Sequence, residues 1–513
     1  MGLHSPSIDN PAYPKIESAL ALMSADLMAF KLLAYALGCL ASLAAAVFIR
    51  SIRMRQTLLL AVSYTLYLLW GPWFLGILLF STVCNYFLGR YLRRGVTQGR
   101  LWLGIGFNLI LLGTFKYLPG LAYSAPSFWA LNSLRQIVLP LGISFWTFQA
   151  LSYLFDVYRE EELDPSLLEF CLYMAFWPTV ISGPICRLPS MLPQFRSQKP
   201  PSWSDYGVGL RRVGIGFLML GVAQLLADGF APGQGINAGF DSANIHWSGP
   251  DVWLLAVGYG FQLFMDFAGY SHLVIGAARL CGFELQENFE RPYLSISPSV
   301  FWTRWHMSLS FWIRDYVFLP LASVRRGLLW RNFALILSMV LFGLWHCGSM
   351  LFILWGAYHG VLLVMHRQWQ QFERRAGMAL SGLALSVLAW AYTFAAISLG
   401  WILFRANSRS QAWSMFSSVF SARSYSYRAL PDSMYLLVAA VMAGYFACIA
   451  AGKLLDRLAA VAFSSPRRQA IAAMIAGDRW VWIAPVAAIV ALYVFALAQP
   501  GQTVTPPMLY RLF

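Results

Sequence analysis

Charged side chains are scarce in this sequence of 513 residues, because Asp, Glu, Lys and Arg together account for only 12% of it. Soluble domains carry about 25% of these residues. Hydrophobic residues make up 59% of the chain, and its mean hydropathy is +0.59. The composition therefore excludes an ordinary soluble protein and indicates one that lies in a lipid bilayer.

Several motifs that mark common enzyme classes are missing as well. The sequence has no phosphate-binding loop, no dinucleotide fingerprint and no G-x-S-x-G nucleophile elbow. Its seven cysteines form no C-x-x-C pair, so neither a disulfide framework nor a zinc site is expected. His306, His346 and His359 show no H-x-x-x-H or H-x-x-E spacing. We therefore predict no metal site and no bound cofactor.

Long apolar runs fill most of the chain. They do not alternate apolar and polar residues as barrel strands do, so helices are predicted. A helix needs roughly 20 apolar residues to cross the hydrocarbon, and several runs are shorter or interrupted. We expect an all-α polytopic membrane protein with roughly 10–12 crossing helices and further re-entrant or amphipathic ones. The runs lie near residues 28–49, 57–89, 102–116, 137–155, 166–182, 207–227, 251–281, 331–347, 350–366, 383–404, 434–455 and 479–498.

The organisation predicted from these runs is simple. No polar stretch is long enough for a separate soluble domain, and no repeat with a period of roughly 20–50 residues is present. We expect a polar tail at 1–27 followed by a single membrane domain at 28–513. The tail has no signal-peptide hydrophobic region, so the first run is expected to be an uncleaved insertion signal.

Basic residues outnumber acidic ones by 37 to 22, which gives a formal net charge of +15. They gather in short loops between apolar runs, as cytoplasmic loops of membrane proteins do, so no nucleic-acid partner is expected. One cluster follows the first run directly, which predicts an N-terminus outside the cytoplasm. The clusters are Arg50, Arg53 and Arg55; Arg90, Arg93, Arg94 and Arg100; Arg325, Arg326 and Arg331; and Arg367, Arg374 and Arg375.

One apolar run carries a stripe of polar side chains. Gln262, Asp266 and Tyr270 follow one another at steps of four residues, which places them on one face of a helix. A carboxylate at this depth is costly unless it faces water or a partner. The stripe is either part of a functional cavity or a hydrogen-bonded contact between helices.

Residues 299–316 have the pattern of one amphipathic helix. Such a helix lies either at the membrane surface or inside the bundle with its polar face on a cavity. Tryptophans on several faces and the neighbouring Arg and Asp favour the bundle. The apolar stripe consists of Trp302, Trp305, Leu309 and Trp312, and the polar one of His306, Ser310 and Arg314, with Arg304 and Asp315 beside it.

Two histidines occur in the apolar segment 342–360. An imidazole acts as a general base wherever it reaches a hydroxyl group, although most buried histidines are packing residues. His346 differs from the others because Gly343 and Gly348 flank it, and small residues let another group approach the ring. His359 is predicted to pack between helices.

Five dense segments are distinctive when they are taken together: LPLGISFWTFQALSYLFDVYR at 139–159, SGPICR at 182–187, the run at 261–295, FWTRWHMSLSFWIRDYVFLPL at 301–321 and LFGLWHCGSMLFILWGAYHG at 341–360. In this order they resemble the membrane-bound O-acyltransferase superfamily, and within it a bacterial branch typified by alginate O-acetylation. The resemblance runs from residue 55 to 406 and fades after about residue 410.

The resemblance implies a ring of helices around a central funnel, with a catalytic core at about 137–366. It places the principal catalytic histidine in Trp345-His346 and a second one in Trp305-His306. The branch usually has Gly after the principal histidine, where this chain has Cys347. The substrate-binding candidates are Asp266, Gln262, Tyr270, Arg304, Ser310, Arg314, Asp315, Trp305 and Trp345.

The implied function is O-acetylation of an extracellular polysaccharide, such as alginate or cellulose, from the bacterial inner membrane. The acetyl donor would be a cytoplasmic thioester, either acetyl-CoA or another acyl thioester. A periplasmic or membrane-anchored acetyltransferase would complete the transfer, alone or with a polysaccharide synthase complex. Three alternatives remain open: a teichoic-acid D-alanyl transferase supplied by an acyl carrier protein, a transporter, and an inert scaffold.

Overall fold

The computed structural model describes residues 25–120, 137–160, 164–197, 199–231, 233–242, 246–377 and 382–462. Every regular element among these residues is helical, which confirms the predicted all-α class. The first nine described helices are α1 (Ala25–Phe48), α2 (Ile52–Leu68), α3 (Pro72–Arg93), α4 (Gln98–Lys116), α5 (Ile143–Tyr158), α6 (Leu167–Ala175), α7 (Leu188–Phe195), α8 (Trp203–Asp228) and α9 (Ile236–Asp241).

The next described helices include the histidine-bearing segments. They are α10 (Gly249–Leu280), α11 (Pro298–Trp302), α12 (Met307–Ile313), α13 (Leu319–Ser323), α14 (Leu328–His346), α15 (Met350–Ala376), α16 (Leu383–Arg405), α17 (Arg409–Phe420) and α18 (Asp432–Ala462). Short 3₁₀ turns lie at Pro292–Leu294 and Ala422–Ser426, and a π-helical turn at Arg314–Phe318 joins α12 to α13.

Hydroxyl side chains begin many of these helices. At each such start the side-chain oxygen accepts a hydrogen bond from the backbone amide three residues later, which satisfies one of the unpaired amides of the first turn. Ser166 with Glu169, and Ser202 with Asp205, form complete capping boxes. The capping residues are Ser51, Thr97, Ser166, Ser202, Ser297 and Ser408.

Seven described helices are long and apolar enough to cross a membrane: α3, α8, α10, α14, α15, α16 and the Asp432–Leu454 part of α18. Some other predicted runs form shorter helices. The run at 166–182 contains only the nine residues of α6, which rise about 14 Å where the hydrocarbon is about 30 Å thick. The run at 479–498 lies outside the described residues. The chain is a multi-pass membrane protein, and its described part has fewer candidate spans than the predicted number.

The chain forms two compact units. The first comprises the described parts of residues 1–200 and 281–380, and the second those of 201–280 and 381–512. The first unit therefore contains His306, His346 and His359, and the second contains the stripe on α10.

In the first unit, glycines bring α14 and α15 into close contact. A Cβ atom at Gly343 would collide with the carbonyl oxygen of Phe352, and one at Gly356 would collide with that of Met339. Small residues at such a crossing let two membrane helices approach along their backbones. At Gly343 the group that approaches is the backbone of α15, and access of a substrate to the His346 ring stays a prediction.

In the second unit, α8 packs along α10 through glycines of both helices. Added Cβ atoms at Gly216 and Gly276 would lie 2.7 Å from the carbonyl oxygen of Gly269 and 2.8 Å from that of Gly209, respectively. The start of α10 is tied to the chain before α18, because the Asp251 carboxylate accepts hydrogen bonds from the amides of Ala429 and Leu430.

The predicted continuous helix at 299–316 is wrong. The segment contains α11, a turn and α12, and its last residues enter the π-helical turn. His306 lies in the turn with φ 42° and ψ 55°, the left-handed region, where a helix of L-residues cannot continue. The predicted polar stripe of His306, Ser310 and Arg314 therefore does not form one face of a single helix.

Candidate functional site

The turn that carries His306 is held by a segment of chain nearly twenty residues earlier. The backbone amide of Met307 donates to the carbonyl oxygen of Asn288 at 2.8 Å, and the Ser308 hydroxyl donates to the Asn288 side-chain oxygen at 2.6 Å. The amide of Glu290 donates to the Arg304 carbonyl at 3.0 Å. A non-glycine residue with positive φ costs about 1–3 kcal/mol, and it persists where its surroundings determine it. These bonds determine the position of His306.

His346 is placed by a regular helix, because it is the last residue of α14. Its ring stacks on that of Phe342, one turn earlier, with centroids 5.2 Å apart and planes at 25°. Trp345 and Trp355 lie edge-to-face with it at 4.7 and 5.5 Å, and the Phe352 ring lies 6.1 Å away. The imidazole is only 5% exposed. An aromatic enclosure of this kind fixes the direction of the ring.

Trp345 joins the two predicted Trp-His motifs. Its ring lies 4.7 Å from that of His346 and 6.5 Å from that of His306, centroid to centroid. The structure therefore brings together two histidines that are forty residues apart in the sequence.

A stack of rings from α5 and α12 also contacts Trp345. Phe148 of α5 stacks on Trp345 at 5.4 Å and on Trp312 at 4.2 Å. The indole nitrogen of Trp312 donates to the Phe148 carbonyl at 3.0 Å. Offset stacking of this kind contributes about 0.5–1.5 kcal/mol per pair beyond burial of area. Phe148 lies in a quoted family segment, but its apolar surroundings gave no signal of a role at the site.

Lys116, which the sequence analysis did not single out, reaches the same place. Its ammonium group donates to the carbonyl oxygen of Trp345 and to the Ser144 hydroxyl, and it lies 4.9 Å from the centre of the Trp345 ring. The side chain is 2% exposed. A lysine this deep requires hydrogen-bond acceptors, and here one of them is the end of the helix that carries His346. A lone cation at the end of the apolar run 102–116 was the available signal.

His359 lies behind Trp355 as seen from His346. Its ring contacts Trp302 at 5.2 Å and Trp355 at 4.9 Å. Trp355 thus contacts both imidazoles of the segment 342–360, and His359 is fully buried. These contacts agree with packing between α11 and α15, although its role stays a prediction.

The other candidates on 301–316 divide into two groups. Trp305 stacks on Phe301 at 5.4 Å, and the Ser310 hydroxyl donates to the Trp305 carbonyl at 3.0 Å, so both stabilise the turn. Arg304 contributes its carbonyl oxygen to the turn and is half-buried.

Arg314 and Asp315 form the second group, and they follow α12, about 10 Å beyond His306 along the helix. The Asp315 carboxylate accepts hydrogen bonds from Arg314 Nε at 2.7 Å and from Arg187 Nη2 at 2.7 Å. Burial opposes its charge, but these two hydrogen bonds hold the pKa of Asp315 below its ordinary value. Asp315 is therefore ionised at neutral pH, and its charge is lost only well into the acid range.

Comparisons with known proteins agree with this geometry. A model of the membrane-bound O-acyltransferase family matches residues 60–406, which include both Trp-His motifs. The chain belongs to the membrane-bound O-acyltransferase family. The match ends close to residue 406, where the predicted resemblance ends. Because the family consists of O-acyltransferases, the transporter and scaffold alternatives are set aside.

Two O-acetylating relatives match about 70% of the chain, and a D-alanyl-transferring one matches less than half of it. It is 35% identical over 384 residues to the probable alginate O-acetylase AlgI of Azotobacter vinelandii, with 72% of this chain and 73% of the relative covered. It is 30% identical over 390 residues to the peptidoglycan O-acetyltransferase of Helicobacter pylori, with 69% and 71% covered. The teichoic acid D-alanyltransferase of Streptococcus thermophilus is 32% identical over 252 residues, with 47% and 59% covered.

The polar stripe of this O-acyltransferase lies in its second unit. Gln262, Asp266 and Tyr270 all belong to the unbroken helix α10, which confirms that they share a face. The Gln262 side chain donates to that of Asn237 at 3.2 Å, and Asp266 is 3% exposed. A role of the stripe in substrate binding stays a prediction. Among the described residues, no three His, Cys, Asp or Glu side chains cluster as ligands of a metal ion.

Proposed function

We propose that this enzyme takes an acetyl group from cytoplasmic acetyl-CoA and transfers it to a hydroxyl group for O-acetylation of an extracellular polysaccharide of the alginate or cellulose type. The observation that carries the proposal is the meeting of His346 and His306 at Trp345. The names of the relatives support an extracellular polymer as acceptor, because one is a probable alginate O-acetylase and another a peptidoglycan O-acetyltransferase.

His346 is the proposed general base. It accepts the proton of the acceptor hydroxyl while that oxygen attacks the thioester carbonyl. The C–S bond then breaks, and the thiolate leaves with the proton held by His346, so an ester and a thiol are formed. His306 orients the acceptor or stabilises the oxyanion, and Trp305 and Trp345 hold the two rings. General base catalysis contributes about 10²–10⁴ in rate, and positioning must supply the remainder.

The proposed setting is the bacterial inner membrane, with the N-terminus in the periplasm and the basic loops in the cytoplasm. The acetyl group then passes across the bilayer to a periplasmic or membrane-anchored acetyltransferase of the same polysaccharide system, alone or within a polysaccharide synthase complex. Gln262, Asp266 and Tyr270 support the acceptor. Asp266→Asn is therefore expected to lower acetyl transfer about tenfold without unfolding the protein, whereas full activity would reduce the stripe to packing.

A second candidate is D-alanyl transfer from an acyl carrier protein. The identity of 32% to a teichoic acid D-alanyltransferase favours it, but that match covers 47% of the chain. Acetyl transfer is preferred because the O-acetylating relatives match about 70% of the chain at similar identity.

The proposal is tested with the full chain reconstituted in lipid vesicles. Acetyl-CoA and a D-alanyl-charged carrier protein are offered separately, and release of free thiol is followed together with acylation of added oligosaccharide. Acetyl-CoA is expected to be consumed by the wild type and left intact by His346→Ala. Consumption of the D-alanyl carrier alone would establish the second candidate, and consumption of neither would contradict both.

A further inference from the structure

Three arginines converge on the π-helical turn that follows α12. Arg187 and Arg314 both donate to the Asp315 carboxylate, and Arg159 Nη2 donates to the Asp315 carbonyl oxygen at 2.7 Å. The guanidinium groups of Arg187 and Arg159 also lie 4.9 and 5.0 Å from the centre of the Tyr316 ring. The three side chains come from three separate segments of the first unit, so only its tertiary structure assembles this arginine cluster.

The arginine cluster exposes more positive than negative charge to solvent. Asp315 is 16% exposed and Asp156, which accepts the Tyr316 hydroxyl at 2.7 Å, is buried. Arg314, in contrast, has 53% of its side chain exposed, and Arg159 is exposed as well. The two carboxylates thus lie inside and two of the three guanidinium groups outside, with Arg187 at 25% exposure between them, so an approaching ligand meets positive charge first.

Contacts place the arginine cluster beside the basic loops. The Arg367 guanidinium, from the basic cluster at 367–375, lies 5.9 Å from the ring centre of Phe318 in the same π-helical turn. Arg93, from the cluster at 90–100, pairs with Asp164, a few residues after Arg159. The positive-inside pattern assigns both loops to the cytoplasm, which is the side where a thioester donor is available.

We propose that Arg159, Arg187 and Arg314 bind a phosphate group of the acyl-thioester donor. The inference rests on the proposed function and adds a site for the anionic part of that substrate. Guanidinium groups match phosphate oxygens with paired N–H donors, and such charge-assisted bonds are the strong ones. The π-helical turn fits this role, because single π turns are frequent at functional sites.

The position of the arginine cluster also suits the reaction. The seven residues of α12 separate Arg314 from His306, a rise of about 10 Å. A phosphate held at the arginine cluster leaves the flexible arm of the donor to carry its thioester towards the histidines. Binding energy from this remote group would then position the reacting carbonyl.

The test varies both the arginines and the donor. Arg159→Gln, Arg187→Gln and Arg314→Gln are compared with the wild type on acetyl-CoA, acetyl-4′-phosphopantetheine and acetyl-pantetheine, of which the last has no phosphate. Arg94→Gln is the matched control, because Arg94 is an exposed arginine of a basic loop outside the arginine cluster. Initial rates of thiol release give KM and kcat for each pair, and melting temperatures monitor folding.

Each substitution in the arginine cluster is expected to raise KM for acetyl-CoA about tenfold, with little change for acetyl-pantetheine and none for Arg94→Gln. An equal rise for acetyl-4′-phosphopantetheine assigns the contact to the pantetheine phosphate, and a rise for acetyl-CoA alone assigns it to the nucleotide. Equal losses on all three donors, or unchanged KM in all variants, would overturn the proposal. If Arg187→Gln fails to fold, Arg314→Gln tests the proposal instead. Arg314 is the more exposed of the two, so its substitution disturbs the packing less. Failure of the wild type to consume any thioester would instead contradict the proposed function.

Discussion

The two Trp-His motifs contain the same dipeptide but are built in opposite ways. His346 ends the nineteen-residue helix α14, so regular backbone geometry and the stacked Phe342 ring determine its position. His306 lies between two short helices with a left-handed backbone, and Asn288 holds its turn. The motif on a rigid helix suits a base whose nitrogen must point at one hydroxyl. The motif in a bonded turn suits a group that positions a substrate.

The largest expected effect comes from removing the imidazole of the helical motif. His346→Ala should lower acetyl transfer at least about 10³-fold, with normal expression and melting temperature, because it removes the proposed general base. His359→Ala is the control, since His359 is also buried and also contacts Trp355. Its effect on transfer should be mild. If His346→Ala keeps wild-type activity while His359→Ala loses it, the base has been assigned to the wrong ring.

Trp305-His306, the motif in the turn, should respond differently to two substitutions of His306. His306→Ala removes the imidazole and leaves a residue that is strained at positive φ, so it should lower both transfer, by about 10²-fold, and the melting temperature. His306→Asn also removes the imidazole, but Asn tolerates the left-handed region. It should be as inactive as His306→Ala and melt close to the wild type. Activity that recovered together with stability in His306→Asn would show that the turn, and not the ring, is what matters.

Substitution of Lys116 tests the hydrogen bond that holds Trp345-His346, without changing either histidine. Lys116→Met keeps the length and loses the bond to the Trp345 carbonyl, so kcat should fall about tenfold or more at nearly constant KM. Lys31→Met is the matched control, because Lys31 is also buried and lies 4.0 Å from the centre of the Trp70 ring. It should leave kcat unchanged. Equal losses in both variants would point to a general need for buried lysines.

The smallest expected effect is at Cys347, directly after His346. The family branch usually has Gly there, but Cys347 has an extended backbone with φ −153°, which any residue adopts. Cys347→Gly should therefore change transfer by no more than about twofold. A tenfold gain or loss would show that the thiol narrows the path to His346 or alters the tilt of its ring.

Much of the architecture could be predicted because apolar runs and capping residues act locally. The helices α3, α8, α10, α14, α15 and α16 follow directly from run length and hydropathy. The pairing of Trp345-His346 with Trp305-His306 came from a family resemblance, since a spacing of forty residues carries no geometric signal. The wrong prediction of one continuous helix at 299–316 has a physical cause. The period of 299–316 indicates one helix, but Asn288, nearly twenty residues earlier, accepts hydrogen bonds from Met307 and Ser308 and holds a turn there instead.

By itself, the sequence determined the medium, the all-α class and the polar face of α10, because composition and a helical period are properties of neighbouring residues. The tertiary structure alone decided that Lys116 reaches the end of α14, that Gly343 contacts the backbone of α15, and that Arg159, Arg187 and Arg314 converge on Asp315. Each of these contacts joins segments far apart in the chain. Their energies depend on which helices pack together, and no local pattern records that choice.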